Sequence, residues 1–150
     1  MARKNRTTLR RLLVLAVLSL GAQAAGAQEK PQATMYRVPF CGCCDGHAEH
    51  LRANGYRVAI VETKNMSAIK KKYGVPQEFE GCHTIEVGGY VIEGHVSAAL
   101  IDKLLRERPA IRGISLPGMP DGSPGMTGTK TEPFVVYELS NERGKVFATE

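Results

Sequence analysis

Three of the four cysteines in this 150-residue chain fall within four positions, and no other feature of the sequence constrains the fold as strongly. The cluster Cys41–Cys44 reads Cys-Gly-Cys-Cys, and the fourth cysteine, Cys82, is followed directly by His83. Disulfides inside so short a segment would close only very small loops and would stabilise the fold little. The pattern therefore favours a fold that presents a dense group of thiols for chemistry.

The first 27 residues have the pattern of a secretory signal peptide. A basic segment, residues 1–11, precedes the apolar run Leu12–Leu20 and a run of small residues that ends at Ala27. The apolar run is far shorter than the roughly 20 residues that span a bilayer, so a retained membrane anchor is the weaker alternative. We expect cleavage after Ala27 and export of residues 28–150 to a bacterial periplasm as one domain, with no membrane insertion after cleavage.

Charge and motif content argue against two broad classes of function. Five of the 20 basic residues lie in the first 27 positions, which contain no acidic residue, so the remainder carries 15 basic and 15 acidic residues. A neutral domain without a basic face is not expected to bind nucleic acid. The motifs of zinc proteases, serine hydrolases and phosphate-binding loops are missing from the sequence, so a hydrolase is not indicated.

The hydrophobic pattern predicts an α/β fold in which strands and helices alternate. The predicted elements are strand 34–38, helix 44–54, strand 56–61, helix 67–73, strands 84–87 and 90–93, and helix 97–108. Two strands joined through a helix make a βαβ unit. The order βαβα followed by ββα predicts a four-stranded mixed sheet with helices packed on it, which is the arrangement of a thioredoxin-like core.

The last quarter of the chain predicts a loop and a hairpin beyond that core. Pro117–Met126 is rich in glycine and proline and carries Met119 and Met126, so it is predicted to be a loop. Residues 134–139 and 145–148 are predicted to form a closing hairpin that extends or covers the sheet.

This fold would bring the two cysteine-containing segments together. In a thioredoxin-like core the segment before the third strand, which holds Cys82, lies against the start of the first helix, where thiolates are stabilised. Sulfur-rich sites with thioether and imidazole neighbours suit Cu(I), whereas four thiolates also suit Zn(II). The candidate metal ligands are Cys41, Cys43, Cys44 and Cys82, with His83, His47, Met119 and Met126 as additional ligands or supporting residues.

The cysteines also have two explanations that need no metal. In the first explanation, the four cysteines form two structural disulfides that stabilise an exported protein. Alternatively, Cys41 and Cys44 have the C-x-x-C spacing of dithiol redox proteins, although Cys43 as a third sulfur would offer unwanted pairings.

Several polar residues are more simply explained without a site. His47 and His50 are expected to be solvated or to support ligands, and His95 is expected to be a loop residue before the last helix. The run Lys70–Lys72 is most simply a solvated helix face.

Five spaced motifs resemble the CopG-like family, a family of exported bacterial metal-binding proteins associated with copper resistance. The motifs occupy residues 41–44, 49–51, 81–84, 89–96 and 116–126, and the resemblance runs from about residue 35 to residue 148. It implies a thioredoxin-like fold, a periplasmic location and copper binding through the four cysteines, with Met119 and Met126 near the site.

The expected function is that of a periplasmic protein that sequesters Cu(I) or passes it to other periplasmic copper-handling proteins, with zinc less favoured. The alternative is a thioredoxin-like thiol-disulfide or copper oxidoreductase that uses the dithiol of Cys41 and Cys44. The sequence favours a copper-binding protein over an oxidoreductase, because it has more cysteine and methionine sulfurs than a redox dithiol requires.

Overall fold

The computed structural model describes residues 29–140, 142 and 144–150, and the predicted signal peptide, residues 1–27, lies outside them. The described residues form an α/β fold with three α-helices and one mixed sheet. The helices are α1 Gly42–Ala53, α2 Met66–Lys72 and α3 Ala98–Glu107, with a 3₁₀ turn at Gln77–Phe79. The strands are β1 Ala33–Arg37, β2 Val58–Glu62, β3 Thr84–Val87, β4 Tyr90–Gly94, β5 Gly113–Leu116, β6 Val135–Leu139 and β7 Val146–Thr149.

The strand order across the sheet is β2-β1-β3-β4-β5-β6-β7. β1 pairs with β2, and β4 with β5, in parallel, whereas all other neighbours are antiparallel. The chain order βαβα followed by ββα is confirmed for β1 to α3. The predicted four-stranded sheet is too small, because β5, β6 and β7 continue the same sheet to seven strands. The predicted hairpin, β6 and β7, therefore extends the sheet.

The strand β5 is an element that the hydrophobic pattern does not predict. It has four residues, all buried, between a short loop after α3 and Pro117. Gly113 is required at its start, because an added Cβ would lie 1.7 Å from the backbone oxygen of Val91 on β4. A strand this short is too brief to show an alternating pattern, and its place in the sheet comes from pairing on both sides.

The two long helices lie where the sequence predicts them, although α1 begins at Gly42, two residues before its predicted start. Cys41 is the N-cap residue of α1, and Gly55 adopts a φ of +86° just after the helix. The Ser97 side chain accepts a hydrogen bond from the backbone N–H of Leu100 and so caps α3. No described helix is long and apolar enough to cross a membrane.

A fully buried apolar core lies between the helices and the sheet. Each such side chain contributes roughly 1.5–3 kcal/mol to folding through burial. Its members come from β1, α1, β3, β4, α3 and β5: Met35, Leu51, Ile85, Ile92, Ile101, Leu104 and Ile114. This core fixes the start of α1 relative to the start of β3, and these two places carry the cysteines.

Candidate metal centre

The four cysteines are brought together by the pairing of β1 with β3. β1 leads through three residues into Cys41, and Cys43 and Cys44 follow in the first turn of α1. Cys82 lies two residues before β3, which runs antiparallel to β1. Adjacent strands therefore bring both cysteine segments to the same edge of the sheet, as predicted.

Cys82 lies at the centre of the sulfur cluster. Its Sγ atom is 3.1 Å from that of Cys41, 3.2 Å from that of Cys44 and 3.5 Å from that of Cys43. The Sγ atoms of Cys41 and Cys43 are also 3.5 Å apart. Cys44 is fully buried, whereas Cys43 and Cys82 are partly exposed. The expected convergence of the four sulfurs is confirmed, and solvent reaches the cluster through Cys43 and Cys82.

Cys41 and Cys44 are joined in a disulfide, whereas Cys43 and Cys82 are free thiols. The alternative of two structural disulfides is therefore wrong for this structure, and the bond present follows the C-x-x-C spacing. Burial raises the pKa of the Cys82 thiol to about 12, and the contact with Cys43 adds to this effect. Cys82 is thus protonated at neutral pH, and a metal ion that binds its sulfur must displace the proton.

A buried ion pair anchors the segment that holds Cys82. The Lys70 ammonium group pairs with Glu93, and both side chains are almost wholly buried. The Glu93 carboxylate also accepts hydrogen bonds from Gly81 N–H at 2.7 Å and Thr84 Oγ1 at 2.6 Å, and Lys70 donates to the Gly81 carbonyl at 3.1 Å. These bonds hold the residues on both sides of Cys82 and His83.

This pair corrects the prediction that Lys70–Lys72 is a solvated face. Lys71 and Lys72 are exposed, but Lys70 points into the protein. The missed signal was Glu93, a carboxylate inside the apolar run of β4, because a charge in a buried strand requires a partner.

Three fully buried histidines lie behind the cysteine segment. His47 Nδ1 is 2.7 Å from His83 Nε2, and His47 Nε2 is 2.8 Å from the Val96 carbonyl oxygen. His95 Nδ1 is 2.7 Å from the Pro124 carbonyl oxygen, and the rings of His83 and His95 meet edge to face with centroids 4.8 Å apart. We call His47, His83 and His95 the histidine cluster.

Two ring nitrogens of the histidine cluster have no hydrogen-bond partner. They are His83 Nδ1 and His95 Nε2, and both are buried. A buried polar atom without a partner costs about 1–3 kcal/mol. Burial lowers the pKa of His47 to about 3, lowers that of His83 well below its usual range and lowers that of His95, so all three rings are neutral at pH 7.

The predictions for the histidines are wrong in part. His47 is fully buried rather than solvated, and it supports His83 through a hydrogen bond. His95 lies in the loop between β4 and α3, as predicted, but it is fully buried and belongs to the histidine cluster. His50 is half-buried, and its Nε2 accepts a hydrogen bond from Ala98 N–H at the start of α3. The sequence signal for the cluster was weak, because its members lie on three separate segments.

The glycine-proline loop packs against the start of α1. A Cβ on Gly125 would lie 2.3 Å from the backbone nitrogen of His47, so the loop and the helix are in direct backbone contact. Met126 follows Gly125 and is half-buried, whereas Met119 is 39% exposed. The loop therefore covers the histidine cluster, because Pro124 bonds to His95 and Gly125 meets the turn of α1 that carries Cys43.

Fold and site together define a small α/β protein with a cysteine cluster of the kind that binds soft metal ions. Residues 79–126 match the family described as "Protein of unknown function, DUF411". The solved structure named "Copper resistance protein copG- Form 2" is 40% identical, covers 81% of this chain and 99% of its own, and has a TM-score of 0.75. The structure named "Copper resistance protein copG- Form 1" is also 40% identical, covers 81% of this chain and 98% of its own, and has a TM-score of 0.74. No curated protein matches the chain. The chain belongs to the CopG-like family.

Proposed function

We propose that this protein is a periplasmic copper-binding protein that sequesters Cu(I) or hands it on through its clustered cysteine sulfurs. The observation that carries this proposal is the position of Cys82, whose Sγ lies within 3.5 Å of the other three sulfurs. Four sulfurs this close suit an ion that binds thiolates strongly. The proposed ligands are the four cysteines, with Met119 and Met126 as further donors.

The choice of copper rests on the donors and on the relatives. Both similar solved structures are named as copper resistance proteins. Zn(II) favours four ligands at the corners of a tetrahedron. Here Cys43 and Cys44 are adjacent in one helical turn and all four sulfurs lie close together, an arrangement that also suits several Cu(I) ions sharing thiolates.

The proposed location rests on the sequence of the leader, and the proposed fold class rests on the order of the strands and helices. The leader in residues 1–27 supports export to the periplasm. The order β2-β1-β3-β4 within the sheet, with α1 and α2 in the first half and α3 after β4, supports a thioredoxin-like core that β5, β6 and β7 enlarge.

Copper content and free-thiol number test the proposal. We expect the fully reduced protein, loaded anaerobically with Cu(I) and desalted, to retain at least one copper ion, and Cys43→Ser and Cys82→Ser to retain less. The larger loss is expected for Cys82→Ser, because Cys82 contacts all three other sulfurs. His50→Gln is the matched control, because His50 is not a proposed ligand and its Nε2 is bonded to Ala98 N–H, although its ring stacks on that of His47 with centroids 6.1 Å apart. Equal copper in all four proteins, or none in the reduced wild type, would overturn the proposal.

A thiol-disulfide oxidoreductase is the second candidate, and the disulfide between Cys41 and Cys44 favours it. In this role the reduced dithiol would give two electrons and two protons to a substrate disulfide, and would itself return to the disulfide. The fully reduced, metal-free protein would then reduce insulin faster than Cys44→Ser does. Insulin reduction at the background rate would eliminate this candidate.

A further inference from the structure

The histidine cluster and Cys82 offer a donor set that the sulfur cluster does not include. One ligand atom from each of Cys82, His83 and His95 lies within 4.8 Å of the other two. His83 and His95 are fully buried, and each has one ring nitrogen without a hydrogen-bond partner. Cys82 therefore stands between two groups of donors, the other sulfurs on one side and two imidazoles on the other.

Hydrogen bonds determine which ring nitrogens carry protons. A carbonyl oxygen only accepts, so His95 Nδ1 must donate to Pro124 and its Nε2 is a bare lone pair. By the same reasoning His47 Nε2 donates to Val96, which leaves His47 Nδ1 as an acceptor. His83 Nε2 must then donate to His47, and His83 Nδ1 is also bare. Both unpartnered nitrogens are thus in the form that binds a metal ion.

The remaining nitrogens are held as in known metal sites. A histidine that binds a metal usually donates its other ring N–H to a carbonyl or another acceptor, which fixes the ring and its tautomer. His95 does so directly to Pro124, and His83 does so through His47 to Val96. The structure therefore prepares both rings before any ion arrives.

We infer that Cys82 Sγ, His83 Nδ1 and His95 Nε2 form a separate soft-metal site that takes one Cu(I) ion while Cys41 and Cys44 are joined in their disulfide. The inference rests on the proposed function, because it takes copper as the ion carried. Oxidation of Cys41 and Cys44 removes two thiolate donors from the sulfur cluster, but it leaves Cys82 and both imidazoles unchanged. Such a site would keep one ion bound when the dithiol is oxidised.

The donor set favours Cu(I) over Zn(II) at this position. One thiolate and two imidazoles supply three ligands, and Zn(II) in a structural site takes four. Both imidazoles are fully buried, so water as a fourth ligand would have to enter on the partly exposed side of Cys82. Thiolate and imidazole are both suitable donors for copper.

The test uses substitutions that delete only the proposed ligand atom. In His83→Gln the side-chain amide occupies the place of Nε2 and still donates to His47, whereas Nδ1 is lost. In His95→Asn the amide occupies the place of Nδ1 and still donates to Pro124, whereas Nε2 is lost. His50→Gln is the matched control, and thermal unfolding of each metal-free protein checks that it folds.

The background for the test is Cys41→Ser/Cys44→Ser, which mimics the loss of those two thiols. We expect this protein to bind one Cu(I) in anaerobic competition with a chromogenic chelator, and X-ray absorption to show both nitrogen and sulfur around copper. Adding His83→Gln and His95→Asn should weaken binding by about a hundredfold and remove the nitrogen signal. Adding His50→Gln should change neither.

The outcomes separate this inference from the proposed function. If the reduced wild type binds copper but the serine background binds none, the separate site does not exist and the proposed function stands. If the background binds copper with sulfur ligands alone, or binds it equally after both histidine substitutions, the inference is wrong. If the reduced wild type itself binds no copper, the proposed function is wrong, and the inference that rests on it is wrong as well.

Discussion

The sulfur cluster and the histidine cluster meet at one dipeptide, Cys82 and His83, yet they are built in different ways. Three sulfurs lie at the start of α1 and the fourth lies just before β3; Cys43 and Cys82 are partly exposed, and Cys41 and Cys44 are joined in a disulfide that a reductant would open. The histidines are fully buried, and carbonyl oxygens fix their tautomers. The comparison teaches that Cys82 lies between two unlike sides. The adjustable side is the sulfur cluster, which solvent and redox chemistry can reach, and the rigid side is the histidine cluster, whose geometry the fold sets in advance.

The largest expected loss of stability comes from breaking the buried pair of Lys70 and Glu93, and it tests whether both sides of Cys82 depend on this pair. Glu93→Gln leaves the Lys70 charge without a charged partner in the interior, and we expect a loss of about 3–5 kcal/mol in the free energy of unfolding, measured with urea. Copper affinity should fall too, because Glu93 holds the residues beside Cys82 and His83. Lys71→Met is the control, since Lys71 is exposed. A loss below 1 kcal/mol would mean that the pair does not anchor this segment.

A smaller effect is expected where the loop covers the rigid side. Gly125→Ala adds a Cβ that would collide with the backbone of α1 at a φ of +83°, so we expect a loss of roughly 2–4 kcal/mol in thermal unfolding. Gly118→Ala in the same loop has a φ of +80° but meets no atom within 4 Å, and it should cost about 1 kcal/mol. Equal losses in the two variants would show that the loop does not press on the helix.

We expect acid to lower the free energy of unfolding of the metal-free protein, because His47 in the histidine cluster is buried in its neutral form. Because the folded pKa of His47 is about 3 and its unfolded value is 6.5, its contribution is fully present above pH 6.5 and is lost as the pH falls toward 3. At pH 5 the loss from His47 alone is about 2 kcal/mol. Urea unfolding at pH 7.5 and pH 5 should therefore differ less in His47→Gln, which keeps the donor to Val96. An unchanged pH dependence in that variant would contradict the buried neutral ring.

The smallest effect is expected on the adjustable side. Cys43 is a free, partly exposed thiol, so Cys43→Ser in the metal-free protein should change the free energy of unfolding by less than about 0.5 kcal/mol. The same substitution should reduce bound copper, as described above. A large loss of stability in the urea experiment would mean that the sulfur cluster is structural, and the contrast between the two sides would disappear.

Much of this arrangement could be predicted from the sequence, because its signals are local. The spacing of apolar residues predicted β1 to α3 in the correct order, and Gly88 and Gly89 predicted the turn between β3 and β4. The density of cysteines predicted the thiol group at residues 41–44, whereas the approach of Cys82 was predicted through the expected fold. Each of these signals lies within a few residues along the chain.

The features that were missed depend on pairs far apart in sequence. Burial of Lys70 requires Glu93, 23 residues later, and a lysine triplet by itself is typical of a solvated surface. The histidine cluster needs α1, the segment before β3 and the segment after β4 to meet. β5 is a strand only because β4 and β6 lie on either side of it.

The site also has a consequence for the time course of folding. Its donors come from the start of α1, the segment before β3 and the segment after β4, and the covering loop comes from later still. Contacts between such distant segments form late, after the local turns and helices. Tight binding of copper by all these donors at once would therefore require a chain whose sheet is already assembled, so that uptake of the ion reports the completion of folding.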